Sequence, residues 1–258
     1  MEVLSERIYP TYARSPTAPA DGPTDVFNIA TYNVHRWTGL TGGRRWNPDL
    51  ASAVIEELDA DVIALQEVLR PNVTDDPLHR IANELGLYFA FVPTRKHRMG
   101  MLGNAILSRW PMKGVFPMDL SFSRIEQRSA IVTQFQGEEH TLTVIATHLA
   151  LVDRTRKFQV RSLLDHSWLQ RPAILLGDMN AWRRCRATRE LDRELASLHH
   201  NQEWPASYPA ARPVLALDRI YTRGAHLVDI HIHNTPAARR GSDHLPVIAR
   251  IALGPEEG

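Results

Sequence analysis

The sequence contains a single cysteine, Cys185, among its 258 residues. One cysteine can form no internal disulfide and no zinc site built from several thiolates. No segment has the roughly 20 consecutive apolar residues that a membrane-spanning helix requires. Residues 1–14 also lack the apolar centre of a secretory signal. Together these absences predict a cytoplasmic protein with no transmembrane segment.

The chain also has little excess charge, because 30 Lys and Arg residues face 29 Asp and Glu residues and the net charge is +1. This balance excludes a protein that coats nucleic acid through bulk electrostatics. No internal repeat or linker divides the sequence. We predict a loosely ordered, proline-rich extension over residues 1–25, one domain over residues 26–253 and a short tail over residues 254–258.

Patterns of apolar residues predict many strands and a few helices. Residues 173–176 are apolar at every position, which is typical of a strand buried on both faces. Alternation predicts a first strand over residues 26–32. A helix is predicted over Pro48–Leu58, with Asn47 as its N-cap, and a basic loop over residues 95–98. This mixture within one domain predicts the α+β class.

Polar side chains suited to metal or phosphate binding stand at the ends of several predicted strands. They are Asn33, Glu67, His148, Asp178 with Asn180, and Asp243 with His244. Each position alone is equally typical of a turn or a strand end, whereas the joint pattern is far less expected by chance. Because the set offers hard oxygen ligands and no thiolate, it favours Mg²⁺ or Mn²⁺ over zinc.

Seven short motifs occur in a fixed order along the chain. They are Thr31-Tyr32-Asn33-Val34, Leu65-Gln66-Glu67, Gly103-Asn104-Ala105-Ile106-Leu107-Ser108-Arg109, Ala146-Thr147-His148-Leu149, Gly177-Asp178-Met179-Asn180, Leu217-Asp218-Arg219-Ile220 and Ser242-Asp243-His244-Leu245-Pro246-Val247. This order resembles the signature of the endonuclease/exonuclease/phosphatase superfamily over about residues 26–253. The resemblance implies the DNase I-like fold, a four-layer αββα sandwich of two mixed, mostly antiparallel sheets.

The same resemblance implies roles for individual residues. Glu67 would be the chief ligand of Mg²⁺ (or Mn²⁺), helped by Asn33 and Asp243. Asp178 would orient and deprotonate the attacking water, a role that requires a carboxylate able to accept a proton near neutral pH. Asn180 would donate its amide to the nucleophile or to a phosphoryl oxygen.

Further roles concern the phosphoryl group. His148 and His244 would contact its oxygens, where negative charge builds in the transition state, and Asp218 would hold His244 in one tautomer. Substrate contacts are predicted from Arg128, Asn104 and Arg183. Residue 35 is His, where some DNA-repair members of the superfamily have Asp.

The function implied by the resemblance is a divalent-metal-dependent phosphoesterase. Its substrate would be an anionic phosphodiester, either nucleic acid or a phospholipid-type head group, attacked in line by water, and the protein would act as a monomer. Three alternatives remain open: a small-molecule phosphomonoesterase, a non-catalytic phosphate-binding domain with a degenerate site, and a zinc hydrolase using His231 and His233.

One further pattern belongs to this sequence alone. Arginine and lysine gather beside the motifs, at Arg44 and Arg45, at Arg95, Lys96 and Arg98, at Arg154, Arg156 and Lys157, at Arg183, Arg184, Arg186 and Arg189, and at Arg239 and Arg240. If these segments surround one pocket, they form a positive rim that steers anionic substrates. The competing interpretation is a set of ordinary solvated charges.

Overall fold

Two β-sheets pack face to face, and helices cover both outer faces. The structure is a computed structural model that describes residues 10–14, 22–42, 46–72, 75–123, 126–137, 141–169, 172–195 and 203–254. The four layers follow the order helix, sheet, sheet, helix. The predicted α+β, αββα sandwich is therefore confirmed.

The larger sheet has seven strands within the described residues, numbered here along the chain. Their spatial order is β1 (Thr11–Arg14), β4 (Tyr88–His97), β5 (Gly100–Ser108), β3 (Val62–Pro71), β2 (Val26–Asn33), β12 (Val247–Leu253) and β11 (Ala225–Ile232). Strands β2 and β3 run parallel. The other neighbouring pairs described in this sheet are antiparallel.

The smaller sheet has five described strands. Their order is β10 (Asp218–Arg223), β9 (Ala173–Asp178), β8 (Thr141–His148), β7 (Ser129–Gln136) and β6 (Met112–Asp119). Strands β8 and β9 run parallel. The helices are α1 (Pro48–Leu58), α2 (Pro77–Glu84), α3 (Asp153–Leu164), α4 (Arg186–Glu194) and α5 (Ala238–Gly241).

Strand β9 explains why residues 173–176 are apolar at every position. Ile174 and Leu176 enter the core between the two sheets. Ala173 and Leu175 enter the core between the smaller sheet and helices α3 and α4. Successive side chains of a strand point to opposite faces, so a strand covered on both faces needs no polar alternation.

Helix α1 has the predicted bounds, and Asn47 occupies the N-cap position as predicted. Pro48 occupies the first turn, and Val54 and Leu58 face the core against the larger sheet. Asn47, however, makes no side-chain hydrogen bond to the helix. Helix α2 has such a cap, because the Asp76 carboxylate accepts a hydrogen bond from the backbone N–H of Leu78 at 3.2 Å.

Two segments predicted to be irregular are strands. Strand β1 lies within the predicted N-terminal extension and pairs with β4, which ties that part of the extension to the sheet edge. The predicted basic loop over residues 95–98 is also wrong, because Arg95 and Lys96 pair with Leu102 and Met101 on β5. Continued backbone pairing in a long hairpin outweighs the polar character of these residues. No helix in the described ranges is both long and apolar enough to cross a bilayer.

Gly177 is the second-to-last residue of β9 and lies where no side chain fits. Its φ is +139°, and a Cβ atom at this position would lie 1.9 Å from the carbonyl oxygen of Thr147 on β8. Backbone atoms of a central strand cannot move away as a flexible side chain can. The close approach of β8 and β9 therefore depends on glycine.

We expect Gly177→Ala to lower the free energy of unfolding by about 2–4 kcal/mol, through backbone strain and displacement of β8. Urea denaturation followed by circular dichroism measures this change. Gly254→Ala is the matched control, since its φ is also positive but nothing lies within 4 Å of the added Cβ. An equal loss of stability in both variants would contradict a specific clash with Thr147.

Candidate active site

The two parallel strand pairs end at the same edge of the sandwich and open into one pocket. Strands β2 and β3 of the larger sheet supply Asn33 and Glu67, and β8 and β9 of the smaller sheet supply His148 and Asp178. The pocket has a volume of about 270 Å³. The predicted site residues that line it are Asn33, Glu67, Asn104, Arg128, His148, Asp178, Asn180, Asp243 and His244.

Asp178 lies at the centre of this arrangement and is only 1% exposed. Its Oδ2 accepts a hydrogen bond from Asn33 Nδ2 at 3.1 Å, which links the two sheets. Its Oδ1 accepts one from the backbone N–H of Asn180 at 2.8 Å. Two imidazoles also face Oδ2, with His148 Nε2 at 3.5 Å and His244 Nε2 at 3.8 Å. The carboxylate is thus held in one orientation.

Burial raises the pKa of Asp178 to about 7, while His244 and the hydrogen bonds from Asn180 and Asn33 act in the opposite direction. A carboxyl group normally loses its proton near pH 4. A raised pKa places this group in the range where it accepts and releases a proton near neutral pH, as a general base must.

A hydrogen-bonded chain runs from Ser207 through Asp218 to His244. Asp218 Oδ2 accepts a hydrogen bond from Ser207 Oγ at 2.6 Å and lies 2.8 Å from His244 Nδ1. Asp218 begins β10, directly opposite Asp178 at the end of β9. This pairing places Asp218 behind His244, on the side away from the pocket, where it fixes the imidazole and leaves Nε2 directed at Asp178.

The two pocket histidines differ in charge. Burial lowers the pKa of His244, but Asp218 outweighs it and, with Asp178 and Asp243, raises that pKa to about 10. Burial and the nearby Arg128 hold the pKa of His148 well below its ordinary value. His244 is therefore a cation at neutral pH and His148 a neutral donor, two complementary ways to hold a phosphoryl oxygen.

Arg128 brings a second cation to the pocket. It lines the cavity, and its Nε is buried without a hydrogen-bond partner in the described part of the chain. Burial lowers the pKa of this guanidinium while Glu67 and Asp178 raise it, and an arginine remains charged in any case. A buried donor without a partner is ready for an anionic ligand.

Glu67 reaches the pocket through an irregularity of β3. The pairing of β3 with β5 passes from Leu65 opposite Ala105 to Val68 opposite Gly103, so two residues face Asn104 alone. Glu67 has a φ of +53°, a strained conformation for a residue with a side chain. This β-bulge directs Glu67 into the pocket, a use for which bulges are frequently retained beside active sites.

The buried side chain of Arg156 holds Asn180. Arg156 is one of the residues of the predicted positive rim. Arg156 is 2% exposed. Its Nη1 donates to the carbonyl oxygens of Asn180 at 2.7 Å, Ala150 at 2.8 Å and Leu151 at 3.2 Å. Asn180 itself has a φ of +49° and donates Nδ2 to the carbonyl of Leu149 at 2.9 Å. Arg156 therefore positions the loop after β9 and is not a steering charge.

A left-handed turn after β2 was missed by the sequence patterns. His35, Arg36 and Trp37 all have positive φ, which L-residues seldom adopt in succession. The turn places His35 Nδ1 3.1 Å from Asp243 Oδ1, and Arg36 Nε 3.3 Å from Glu67 Oε2. Glu67 and Asp243 thus each have a basic side chain beside them. No local composition signal marks such a turn.

Aromatic residues at the mouth of the pocket were also not assigned. The Tyr208 ring lies 4.8 Å from the His244 ring and 5.4 Å from the Trp182 ring. Tyr208 and Ser207 follow a stretch without periodicity, and the bridge between Tyr208 and Leu215 holds them in place. Trp182 follows the Asp178 motif after one intervening residue and also lines the pocket.

The residues predicted to contact the substrate differ in whether they line the pocket. Asn104 lines the pocket and donates Nδ2 to the Ser129 carbonyl at 2.7 Å. Arg183 does not line it: its guanidinium is 81% exposed and Nη2 lies 3.2 Å from Asp153 Oδ2. Of the predicted rim, Arg95 lines the pocket, and the Arg44 and Arg45 pair lies outside the described residues.

Asp178, Asp218 and His244 form one group of potential metal ligands. Each offers one ligand atom, and these three atoms all lie within 4.8 Å of one another. The His244 Nδ1 to Asp218 Oδ2 distance of 2.8 Å is that of a hydrogen bond. His231 and His233 form no such group in the described part of the chain. They lie 3.0 Å from Asp229 and 2.8 Å from Glu57.

Comparison with known proteins agrees with this fold. A family model described as "Endonuclease/Exonuclease/phosphatase family" matches residues 30–244. The Escherichia coli (strain K12) protein named "Uncharacterized protein YbhP" is 29% identical over 253 residues, which cover 88% of this chain and 96% of that protein.

Solved structures share the architecture. An endonuclease/exonuclease/phosphatase from Beutenbergia cavernae DSM 12333 superposes with a TM-score of 0.71 at 23% identity, covering 90% of this chain and 72% of that one. D. rerio TDP2 complexed with single-strand DNA product gives a TM-score of 0.67 at 15% identity, covering 89% and 100%. Since the family model spans most of the sequence, the chain belongs to the endonuclease/exonuclease/phosphatase family.

Proposed function

We propose that this protein is a divalent-metal-dependent phosphoesterase that hydrolyses a phosphodiester by in-line attack of water. The observation that carries the proposal is the surroundings of Asp178. A buried carboxyl group with a raised pKa faces one cationic and one neutral imidazole across a pocket that Arg128 also lines. A base beside several donors for developing negative charge is what phosphoester hydrolysis requires.

The residues of the pocket fit a divalent cation. Glu67 and Asp243 have partly buried carboxylates that line the pocket, and Asn33 adds a carboxamide oxygen. Oxygen donors with one or two carboxylates suit Mg²⁺ or Mn²⁺. We therefore assign the cation to Glu67, Asn33 and Asp243. A bound cation would polarise the phosphoryl group and offset its negative charge.

The remaining residues act on the water and the phosphoryl oxygens. Asp178 Oδ2, held by Asn33, accepts the proton of the attacking water, and Asn180 orients that water. His244, fixed by Asp218, and Arg128 bind phosphoryl oxygens as cations, while His148 donates as a neutral imidazole. Positioned donors of this kind stabilise a transition state without reorganising during the reaction.

The substrate class is tested by a panel of phosphoesters incubated with Mg²⁺ or Mn²⁺. It contains plasmid DNA, single-stranded DNA, RNA, phospholipid vesicles, inositol phosphates, a soluble phosphodiester and a soluble phosphomonoester, with the Asp178→Asn protein as the blank. The DNA complex of the D. rerio neighbour makes nucleic acid a necessary arm. Metal-dependent release from a diester supports the proposal. Cleavage of monoesters alone would replace it with a phosphomonoesterase, and no cleavage of any member would reject it.

We expect Asp218→Asn to lower kcat/KM by about 100-fold and to shift its alkaline limb to lower pH by about two units. His244 acts in its protonated form, which is lost as pH rises through its pKa. Asp218 raises that pKa, and burial alone lowers it. Without the carboxylate, His244 therefore loses its proton at lower pH. Full pH profiles of both proteins measure the shift.

Ser207→Ala is the companion variant, because it removes the 2.6 Å hydrogen bond to Asp218 but leaves the charge in place. Its alkaline limb should move less than that of Asp218→Asn. Equal shifts in the two variants would show that hydrogen bonding, and not the charge of Asp218, controls His244.

A further inference from the structure

Beside the pocket lies a group of exposed apolar side chains, which we call the apolar rim: Phe122, Leu151, Val152, Phe158 and Trp182. Leu151, Val152 and Trp182 are 58%, 55% and 50% exposed. Large apolar side chains scattered singly over a surface need no explanation, whereas a contiguous group marks an interaction site.

Part of the apolar rim borders the pocket directly. Leu151 and Trp182 line both the pocket and a neighbouring depression of about 460 Å³. Val152 directly follows Leu151 and precedes the first turn of α3. Phe158 lies on the exposed side of α3, where its ring is 5.4 Å from that of Phe122. A surface that binds Leu151 and Trp182 therefore also meets the mouth of the pocket.

Positive charge accompanies this apolar surface. Arg154 and Lys157 lie on α3 near Phe158, and the Arg154 guanidinium lies 5.9 Å from the Phe122 ring centroid. Neither Arg154 nor Lys157 pairs with a carboxylate in the described part of the chain. An exposed helix face that combines aromatic and basic residues is typical of proteins that lie on anionic membranes.

The kind of side chain favours a lipid over a nucleic acid. Bases stack on flat aromatic faces, whereas Leu151 and Val152 are aliphatic. Phe122 and Phe158 pack against each other with their planes inclined at 65°, so they form no flat platform. Apolar side chains of any shape can enter the boundary between head groups and acyl chains, and tryptophan is enriched at that depth.

We propose that the apolar rim docks the protein on an anionic lipid bilayer surface and presents the pocket to phosphoester head groups in that surface. The second part of this inference, that the pocket acts on head groups, rests on the proposed function, whereas docking does not. Docking itself requires the apolar side chains to enter the bilayer boundary and Arg154 and Lys157 to face anionic lipid.

The test is sedimentation with phosphatidylcholine vesicles, prepared with and without phosphatidylglycerol, at low and high salt and without turnover. We expect the wild-type protein to partition onto the anionic vesicles and to be released by salt. The double variant Val152→Ser/Phe158→Ser should lower the partition coefficient at least about 10-fold, because both side chains lose apolar area buried in lipid. Arg154→Gln/Lys157→Gln should lower it about fivefold per residue at low salt.

Val228→Ser is the matched control. This exposed valine lies on β11 at the far edge of the larger sheet, and its loss should leave vesicle binding unchanged. The Val152→Ser/Phe158→Ser protein should hydrolyse a soluble phosphodiester like the wild type but act more slowly on vesicle lipids. If the proposed function fails, vesicle binding still answers the question of docking.

Four results would overturn the proposal. The wild type could fail to bind anionic vesicles at low salt, or the Val152→Ser/Phe158→Ser protein could bind like the wild type. Loss of single-stranded DNA binding in that variant, without any vesicle binding, would make the apolar rim a nucleic-acid surface. A concentration-dependent dimer in analytical ultracentrifugation that the variant abolishes would assign it to a second copy of this chain.

Discussion

Asp178→Asn should lower kcat for phosphodiester hydrolysis by about 10³–10⁴-fold while leaving KM within a few-fold of the wild-type value. The carboxamide keeps the shape of the side chain but cannot take the proton of the attacking water. Steady-state kinetics on the diester found by the substrate panel, at saturating Mg²⁺, measures the loss.

The protein should remain folded, because a neutral isostere removes the cost of burying the charged form of Asp178, which offsets the loss of one of the two hydrogen bonds that the carboxylate accepts. We therefore expect the thermal midpoint of Asp178→Asn to lie close to that of the wild type. Asp229→Asn is the control, since this carboxylate lies on β11 beside His231 and does not line the pocket. It should leave kcat unchanged. Wild-type kcat in Asp178→Asn would refute its role as the base.

Glu67→Gln should weaken the binding of Mg²⁺ and Mn²⁺ by about 10- to 100-fold. The variant keeps the side-chain length and an oxygen donor but loses the negative charge that lines the pocket. Isothermal titration calorimetry of the metal-free protein, without substrate, measures affinity independently of turnover. Activity at low metal concentration should fall in parallel and recover in part when metal is raised.

Glu57→Gln is the matched control for Glu67. Glu57 lies on α1 at the surface, where it pairs with His233, so its loss should leave metal affinity unchanged. Unaltered metal binding by Glu67→Gln would move the cation elsewhere, and the group of Asp178, Asp218 and His244 would then be the next position to test by the same titration.

Most of the secondary structure followed from local pattern. The apolar period of α1 and the unbroken apolar run of β9 predicted elements that the structure contains. The predictions are wrong where contacts between separate segments of the chain determine the secondary structure. The predicted basic loop instead continues β4, because β5 supplies hydrogen-bond partners that composition does not reveal.

The candidate site shows the same division. The order of motifs indicated Asp178, His244 and Asp218 as members of one site. It did not indicate that Ser207 supports Asp218, or that Arg156 is buried beneath Asn180. Those contacts join residues that are far apart in sequence, and no periodicity or spacing encodes them.

The sequence by itself determined the ordered motifs, whose resemblance to the family implied the αββα architecture, and the polar residues of the candidate site, because such motifs are local properties. Only the tertiary structure decided their chemistry. Burial raised the pKa of Asp178, Asp218 kept His244 protonated, and the bulge in β3 turned Glu67 inward. The physical reason is that pKa and orientation depend on the dielectric environment and neighbours that appear when the two sheets meet.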